Sequence, residues 1–329
     1  MCYERFQREP SMQGYLGFIM PDTKTTIRVA LDWTPNTIHS GLFLARAKNL
    51  YSDANLDVQL LPPDPAYSTT PAKRLEAGEV ELAICPSESI IAYAESNKPN
   101  FQLQAIYAVL QKDASAIVSK NDEILRPRDL EDAVYGSYNA RYEDAIVREM
   151  VNAGGGDGSK VRIEGSKGKL SLFEELKKGT IDATWIFLPW EGVEAQLEAL
   201  CLNVFRTEDS GVPYGYSPVV ARNAVGNKVD GDALRRFVLA TQKGYEMARA
   251  DSAAAVEVMK EHCSGKSTEF LEMSQDDING FYGEAEGSIE LGRMKVEKWR
   301  AWVDWLQEKK LVVKQDLRFE EMFTNEFFS

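Results

Sequence analysis

The chain has 329 residues, with 38 Lys plus Arg against 51 Asp plus Glu and a formal net charge of −13. That length exceeds one ordinary domain and suits two of common size, while the acidic balance, with no basic run, argues against a nucleic-acid backbone or an anionic membrane surface as partner. The cysteines Cys2, Cys85, Cys201 and Cys263 form no CxxC pair, and His39 and His262 lie far apart, so neither a disulfide framework nor a zinc site is expected.

Residues 1–22 contain one weakly apolar stretch, Gly14 to Met20, preceded by Glu4, Arg5, Arg8 and Glu9. This is a poor signal peptide, and no later run reaches the ~20 apolar residues that span a bilayer. The segment is expected to be a flexible extension, and the cysteine usage suits a reducing, cytoplasmic location. Strand-like runs follow at 26–31, 56–61, 82–85 and 103–110, alternating with helical windows near 38–49, 70–77 and 88–96. A β-α-β-α-β order requires right-handed crossovers and a mostly parallel sheet. A second series has strands at 133–136, 161–164 and 183–187 and helices near 142–153, 170–178 and 191–199.

The two series share an echo. Leu75-Glu-Ala-Gly78-Glu-Val-Glu-Leu-Ala-Ile84 reappears as Leu176-Lys-Lys-Gly179-Thr-Ile-Asp-Ala-Thr-Trp-Ile186. Each copy ends an amphipathic run at a Gly suited to a left-handed C-cap and passes at once into an apolar strand. Each then runs into a helix start, at Pro86 and at Pro189. Side chains are thereby placed beyond the carboxyl end of a strand, where open α/β sheets bind ligands. Between the series lies Ser115–Lys120, and after the second comes Ser217–Arg222. Both are β-rich and bounded by turn formers, which suits two crossing segments that form a hinge. The division expected is a first lobe of 23–114 with 218–329, a second lobe of 115–217, and a ligand cleft between them. From Asp230 onward the pattern is helical and is expected to pack on the first lobe. There Trp299, Trp302 and Trp305 recur at a core-facing spacing.

With Asp32-Trp33-Thr-Pro-Asn36-Thr-Ile-His39 just past the first strand, this arrangement resembles the type II periplasmic-binding-protein superfamily. Its closest likeness there is to the thiamin-pyrimidine branch of formylaminopyrimidine-binding proteins and thiamin pyrimidine synthases. The likeness covers nearly all of 24–329 and implies an α/β fold of two lobes with mainly parallel sheets joined by two crossing segments. It also implies an aromatic clamp on a pyrimidine, a first-strand Trp opposite an aromatic residue three positions before a Trp-Glu pair. Trp33, Phe187, Trp190 and Glu191 match, with Phe187 where the binding proteins carry a tyrosine. A flat ring would stack between such side chains, and Glu191 would accept hydrogen bonds from an exocyclic amine. The synthase pattern has a cysteine-rich run for iron and an active-site Lys and His. Here the matching stretch is Gly211-Val-Pro-Tyr-Gly-Tyr-Ser217, and the Lys and His positions fall at Cys85 and about Ser89.

The remaining candidates each have two readings. His39 and Asn36 either face the cleft or serve the first lobe's structure, and Glu88 either favours a helix dipole or points into the cleft. Gly136-Ser137-Tyr138-Asn139 lies between a strand and a helix. It is either an ordinary turn or an anion-holding one, with Ser137 and Arg141 as natural partners of a phosphate. Tyr214 and Tyr216 either close over a ring or pack at the hinge. The expected function is binding of a formylaminopyrimidine-like aminopyrimidine, with no cofactor expected and binder against enzyme left open by the residues, the missing synthase pattern favouring the binder. Nucleic acid and membrane insertion are not expected, and the sequence does not say whether a transporter permease is a partner. The alternatives are a divergent hydroxymethylpyrimidine phosphate synthase, which would use pyridoxal phosphate and iron, and a binding protein for another small heteroaromatic solute.

Overall fold

Ten short, largely apolar runs adopt strands in the computed structural model, which describes residues 24–65, 67–96, 98–166, 172–226, 228–283 and 290–328. The expected N-terminal extension lies outside the described residues. The strands are β1 Thr25–Ala30, β2 Leu56–Leu61, β3 Leu82–Cys85, β4 Leu103–Ala108, β5 Ser115–Ser119, β6 Val134–Ser137, β7 Arg162–Gly165, β8 Ala183–Phe187, β9 Asn203–Phe205 and β10 Val219–Asn223. They form two five-stranded sheets with equivalent order, β2-β1-β3-β10-β4 and β7-β6-β8-β5-β9. In each sheet one strand runs against the rest. β10 is antiparallel to β3 and β4, and β5 is antiparallel to β8 and β9. The chain leaves the first sheet after β4, builds the second, and returns with β10, so the lobes are joined by residues 109–114 and 206–218. Most of Ser115–Lys120 and Ser217–Arg222, expected as the crossing segments, is instead strand β5 inside the second sheet and β10 inside the first. This is the α/β, two-lobed periplasmic-binding-protein fold.

The echoed segments prove to be one structural unit built twice. Gly78 and Gly179 both take positive φ, +72° and +76°. The following N–H groups, of Glu79 and Thr180, reach back to the carbonyls of Arg74 and Glu175 at 3.0 Å, closing a six-to-one C-terminal helix turn in each lobe. A lysine beyond each reversed strand caps the same turn. Lys228 donates to the Gly78 carbonyl at 3.2 Å and Lys120 to the Lys177 carbonyl at 2.6 Å, where the partial negative charge of a helix end favours a cation. Three residues past each Gly, a carboxylate pins the neighbouring strand. Glu81 accepts the Arg28 N–H and Asp182 the Val134 N–H, both at 2.8 Å.

The helix Gly231–Ala250 packs on the first lobe, where Phe237 stacks on Tyr51 at 5.5 Å and the Tyr245 hydroxyl donates to the Ile38 carbonyl. Two later helices depart from the expectation, because each touches both lobes. From Thr268–Tyr282, Phe270 takes the ring edge of Trp190 at 4.7 Å and the Ser274 hydroxyl donates to the Pro189 carbonyl. Just ahead of it, Lys266 pairs with Glu194 of the second lobe at 2.7 Å. From Val296–Glu308, Trp302 lies edge-on to Tyr142 and Tyr214 at 6.5 and 5.3 Å. Lys309 beyond it pairs with Glu149 at 2.9 Å. Trp299, Trp302 and Trp305 are buried. Their wide apolar stripe is used up between lobes as well as within one.

Candidate functional site

The loops at the carboxyl ends of β1, β2, β6 and β8 converge between the lobes. Behind β1 the chain turns through Asp32 to Pro35 into a short 3-10 turn, Thr37–His39. Asn36 holds that turn. Its Oδ1 accepts the Ile38 N–H at 2.9 Å and its Nδ2 donates to the Thr34 carbonyl at 3.1 Å. Trp33 projects from this loop, half-buried, with Tyr67 at 5.0 Å and, from the second lobe, Tyr138 edge-on at 6.3 Å. Tyr67 is set by the proline-rich loop after β2, and its hydroxyl accepts the Thr34 N–H at 2.9 Å. Burial raises both tyrosine hydroxyls well above their ordinary range, and for Tyr138 the charge of Glu191 adds to it.

Two carboxylates flank this aromatic group. Asp32 accepts from His39 Nε2 at 2.8 Å. The other ring nitrogen, Nδ1, accepts the Asn36 N–H at 3.3 Å, which leaves the ring proton on Nε2, aimed at Asp32. The Asp32 side chain keeps 26% of its surface exposed while His39 has none, so the dyad presents the carboxylate and hides the imidazole. Glu191, on the turn after β8, accepts the Phe187 N–H at 3.0 Å. Burial pushes its carboxyl above the ordinary range, with the backbone bonds acting against that. A cluster of tilted and edge-on aromatic rings with a carboxylate on each side can hold a flat heterocycle and accept hydrogen bonds from its amines.

The other residues singled out in the sequence take different roles. Phe187 and Trp190 are half-buried and pack against the first lobe's core. Trp190 meets Phe270 and lies 5.4 Å beneath the Lys266 ammonium, so it fastens the lobes together, and Trp33 has Tyr67 and Tyr138 as ring neighbours instead. His39 and Asn36 are buried supports of the Trp33 loop, not cleft walls. Glu88 is buried, with the Tyr214 hydroxyl as donor, and burial lifts its carboxyl to about 7. Tyr216 is also buried. Its hydroxyl accepts the Lys295 N–H at 2.9 Å and its ring packs on Trp299, which makes it part of the crossing segment. Ser137 is fully buried and its Oγ donates to Asp144 at 2.6 Å. Cys85, in the synthase Lys position, is buried with its thiol pushed up by burial and by Asp32 and Glu88.

Tyr67 and Asp32 are the contributors that sequence reasoning assigned no role. The available signal was position, since both lie just past the carboxyl end of a strand in the first sheet. A groove of about 450 Å³ lies elsewhere, lined by Leu188, Ala195, Leu200, Arg206 and Asp277 among others. It contains none of the aromatic group, so the aromatic group between the lobes is taken as the candidate site.

A formylaminopyrimidine-binding protein of Halalkalibacterium halodurans is 23% identical over 285 residues, covering 85% of this chain and 84% of the relative. A protein of Haemophilus influenzae named for thiamine biosynthesis is 26% identical over 222 residues, 66% of this chain and 68% of the relative. Among solved structures, the alkanesulfonate-binding protein SsuA of Xanthomonas axonopodis pv. citri, bound to MOPS, has a TM-score of 0.68 at 12% identity. It covers 92% of this chain and 99% of its own, a likeness that carries the fold alone. The model of the NMT1/THI5-like family matches residues 36–255, from the capping Asn36 through the whole second lobe. Over two thirds of its length, and with the loops of the cleft inside or beside the match, the chain belongs to the NMT1/THI5-like family.

Proposed function

We propose that the protein binds a small aminopyrimidine, of the formylaminopyrimidine kind, between its lobes. The observation that carries this reading is the group Trp33, Tyr67 and Tyr138, contributed by both lobes and flanked by the carboxylates of Asp32 and Glu191. Each ring face of the ligand would stack on an aromatic side chain, and its exocyclic amines would donate to the carboxylates. Trp33 and Tyr138 already touch, so entry of a ring requires the lobes to part by about 3.5 Å, one aromatic thickness. The two joining segments permit such a hinge motion. The names of the two relatives support the same ligand class, one by formylaminopyrimidine and the other by thiamine.

The test is isothermal titration with formylaminopyrimidine, aminomethylpyrimidine, hydroxymethylpyrimidine and pyridoxal phosphate, with a Trp33→Ala variant beside the wild type. Binding of one pyrimidine without turnover, weakened on the order of 10–100-fold in the variant, is the expected result. Silence toward every pyrimidine, or consumption of pyridoxal phosphate when iron is supplied, overturns the proposal.

A further inference from the structure

The second lobe carries an anion cradle that the chain fills by itself. After β6 the backbone turns through Tyr138, Asn139 and Ala140, with Asn139 at φ +56° and Tyr142 at φ +67°, and enters the helix Glu143–Ala153. Successive N–H groups in such a turn, ahead of a helix start, converge as they do around a phosphate. Here all three are taken. Tyr138 N–H donates to Glu143 Oε1 at 3.1 Å and Ala140 N–H to Glu143 Oε2 at 2.9 Å. Asn139 N–H donates to Ser137 Oγ at 3.0 Å. The Tyr135 hydroxyl adds a third bond to the Glu143 carboxylate at 2.9 Å. Glu143 is only 3% exposed. Ser137 cannot offer its proton to a ligand either, since its Oγ donates to Asp144 at 2.6 Å.

We infer that Glu143 is a specificity residue that stands where a ligand phosphate would otherwise sit, so that the cleft takes unphosphorylated rings and rejects their phosphate esters. The inference rests on the pyrimidine reading for the identity of the ring, and on the loop alone for the exclusion of phosphate. A phosphate monoester carries roughly −1.5 to −2 charges near neutral pH. Beside Tyr138 it would meet the carboxylates of Glu143 and Asp144, and it would find the 138–140 amides occupied. Arg141 is the nearby cation on this loop, and its guanidinium lies outward, 5.9 Å from the Tyr142 ring centre. Like charges brought together in a cleft, with no donors left to solvate them, weaken binding by on the order of 100-fold or more.

Two titrations test this. In the first, wild-type protein is titrated with hydroxymethylpyrimidine and with its monophosphate. The unphosphorylated ring is expected to bind at least ~100-fold more tightly, and equal or tighter binding of the monophosphate overturns the inference. In the second, Glu143→Ala, or Glu143→Gln if the alanine variant does not fold, is melted beside wild type in rising inorganic phosphate with ionic strength held constant. The variant is expected to gain a rise of about 2–4 °C that wild type lacks. A rise in both proteins or in neither overturns the inference. If wild type binds neither pyrimidine, the pyrimidine reading fails and the melting experiment still decides the role of Glu143.

Discussion

Glu88 shows how burial converts a surface residue type into a pH-dependent one. Its carboxyl is buried against Tyr214 of the crossing segment, and its pKa moves from 4.5 to about 7, chiefly by loss of water, with the Tyr214 and Ser87 bonds acting against the shift. The folded protein therefore holds a proton there that the unfolded chain has released. The stability Glu88 lends is present in full below its unfolded value and lost as pH rises through about 7. Between pH 5 and 8, wild type is expected to lose stability relative to Glu88→Gln by on the order of 3 kcal/mol. Denaturant midpoints of the two proteins at both pH values check it, and a constant difference between them refutes it. Trp33 and Glu191 were named through the family resemblance, since an aromatic residue near a strand end is by itself usually core packing. The role of His39 was not legible, since only the two bonds to its ring nitrogens, from Asn36 and to Asp32, reveal that it supports the carboxylate from inside the core.

At the scale of elements, the chain contains the same helix-turn-strand joint in both lobes, and its parts are separable. Gly78 and Gly179 each occupy the left-handed region that a Cβ disfavours. Gly78→Ala and Gly179→Ala are each expected to cost about 1 kcal/mol. Because the sites lie in different lobes, the double variant should cost their sum within ~0.5 kcal/mol. Urea unfolding of the three variants measures this, and a double variant no worse than either single one would show that the lobes do not share a folding transition. The helix stop was readable from Gly after an amphipathic run. The lysines that cap it, Lys120 and Lys228, were not, because each follows the antiparallel strand that pairs beside the joint and lies far from it in the chain. Glu143 was hidden in a similar way. In the sequence it looks like an acid favouring a helix start, and only the turn's geometry shows it filling the amides before it.

For the whole molecule, the two C-terminal helices decide how independent the lobes are. Phe270 and Lys266 hold Trp190 and Glu194 on one side, while Trp302 and Lys309 hold Tyr142 and Glu149 on the other. A chain of this length in two lobes would ordinarily unfold in steps. These shared contacts are expected to merge the steps, giving one calorimetric peak whose van't Hoff and calorimetric enthalpies agree. Two resolved peaks would show that the bridging helices belong to one lobe only. The sequence by itself determined the strand and helix series, the duplicated joint and the presence of Trp33 at a strand's carboxyl end. All of these follow from local periodicity, turn chemistry and chain order. The tertiary structure alone decided that Tyr67 and Tyr138 are the partners of Trp33, that Phe187 and Trp190 pack toward the first lobe's core, and that Glu143 occupies the turn. Those outcomes depend on which loops meet when two separately built sheets are closed on each other, and no spacing along the chain encodes that meeting.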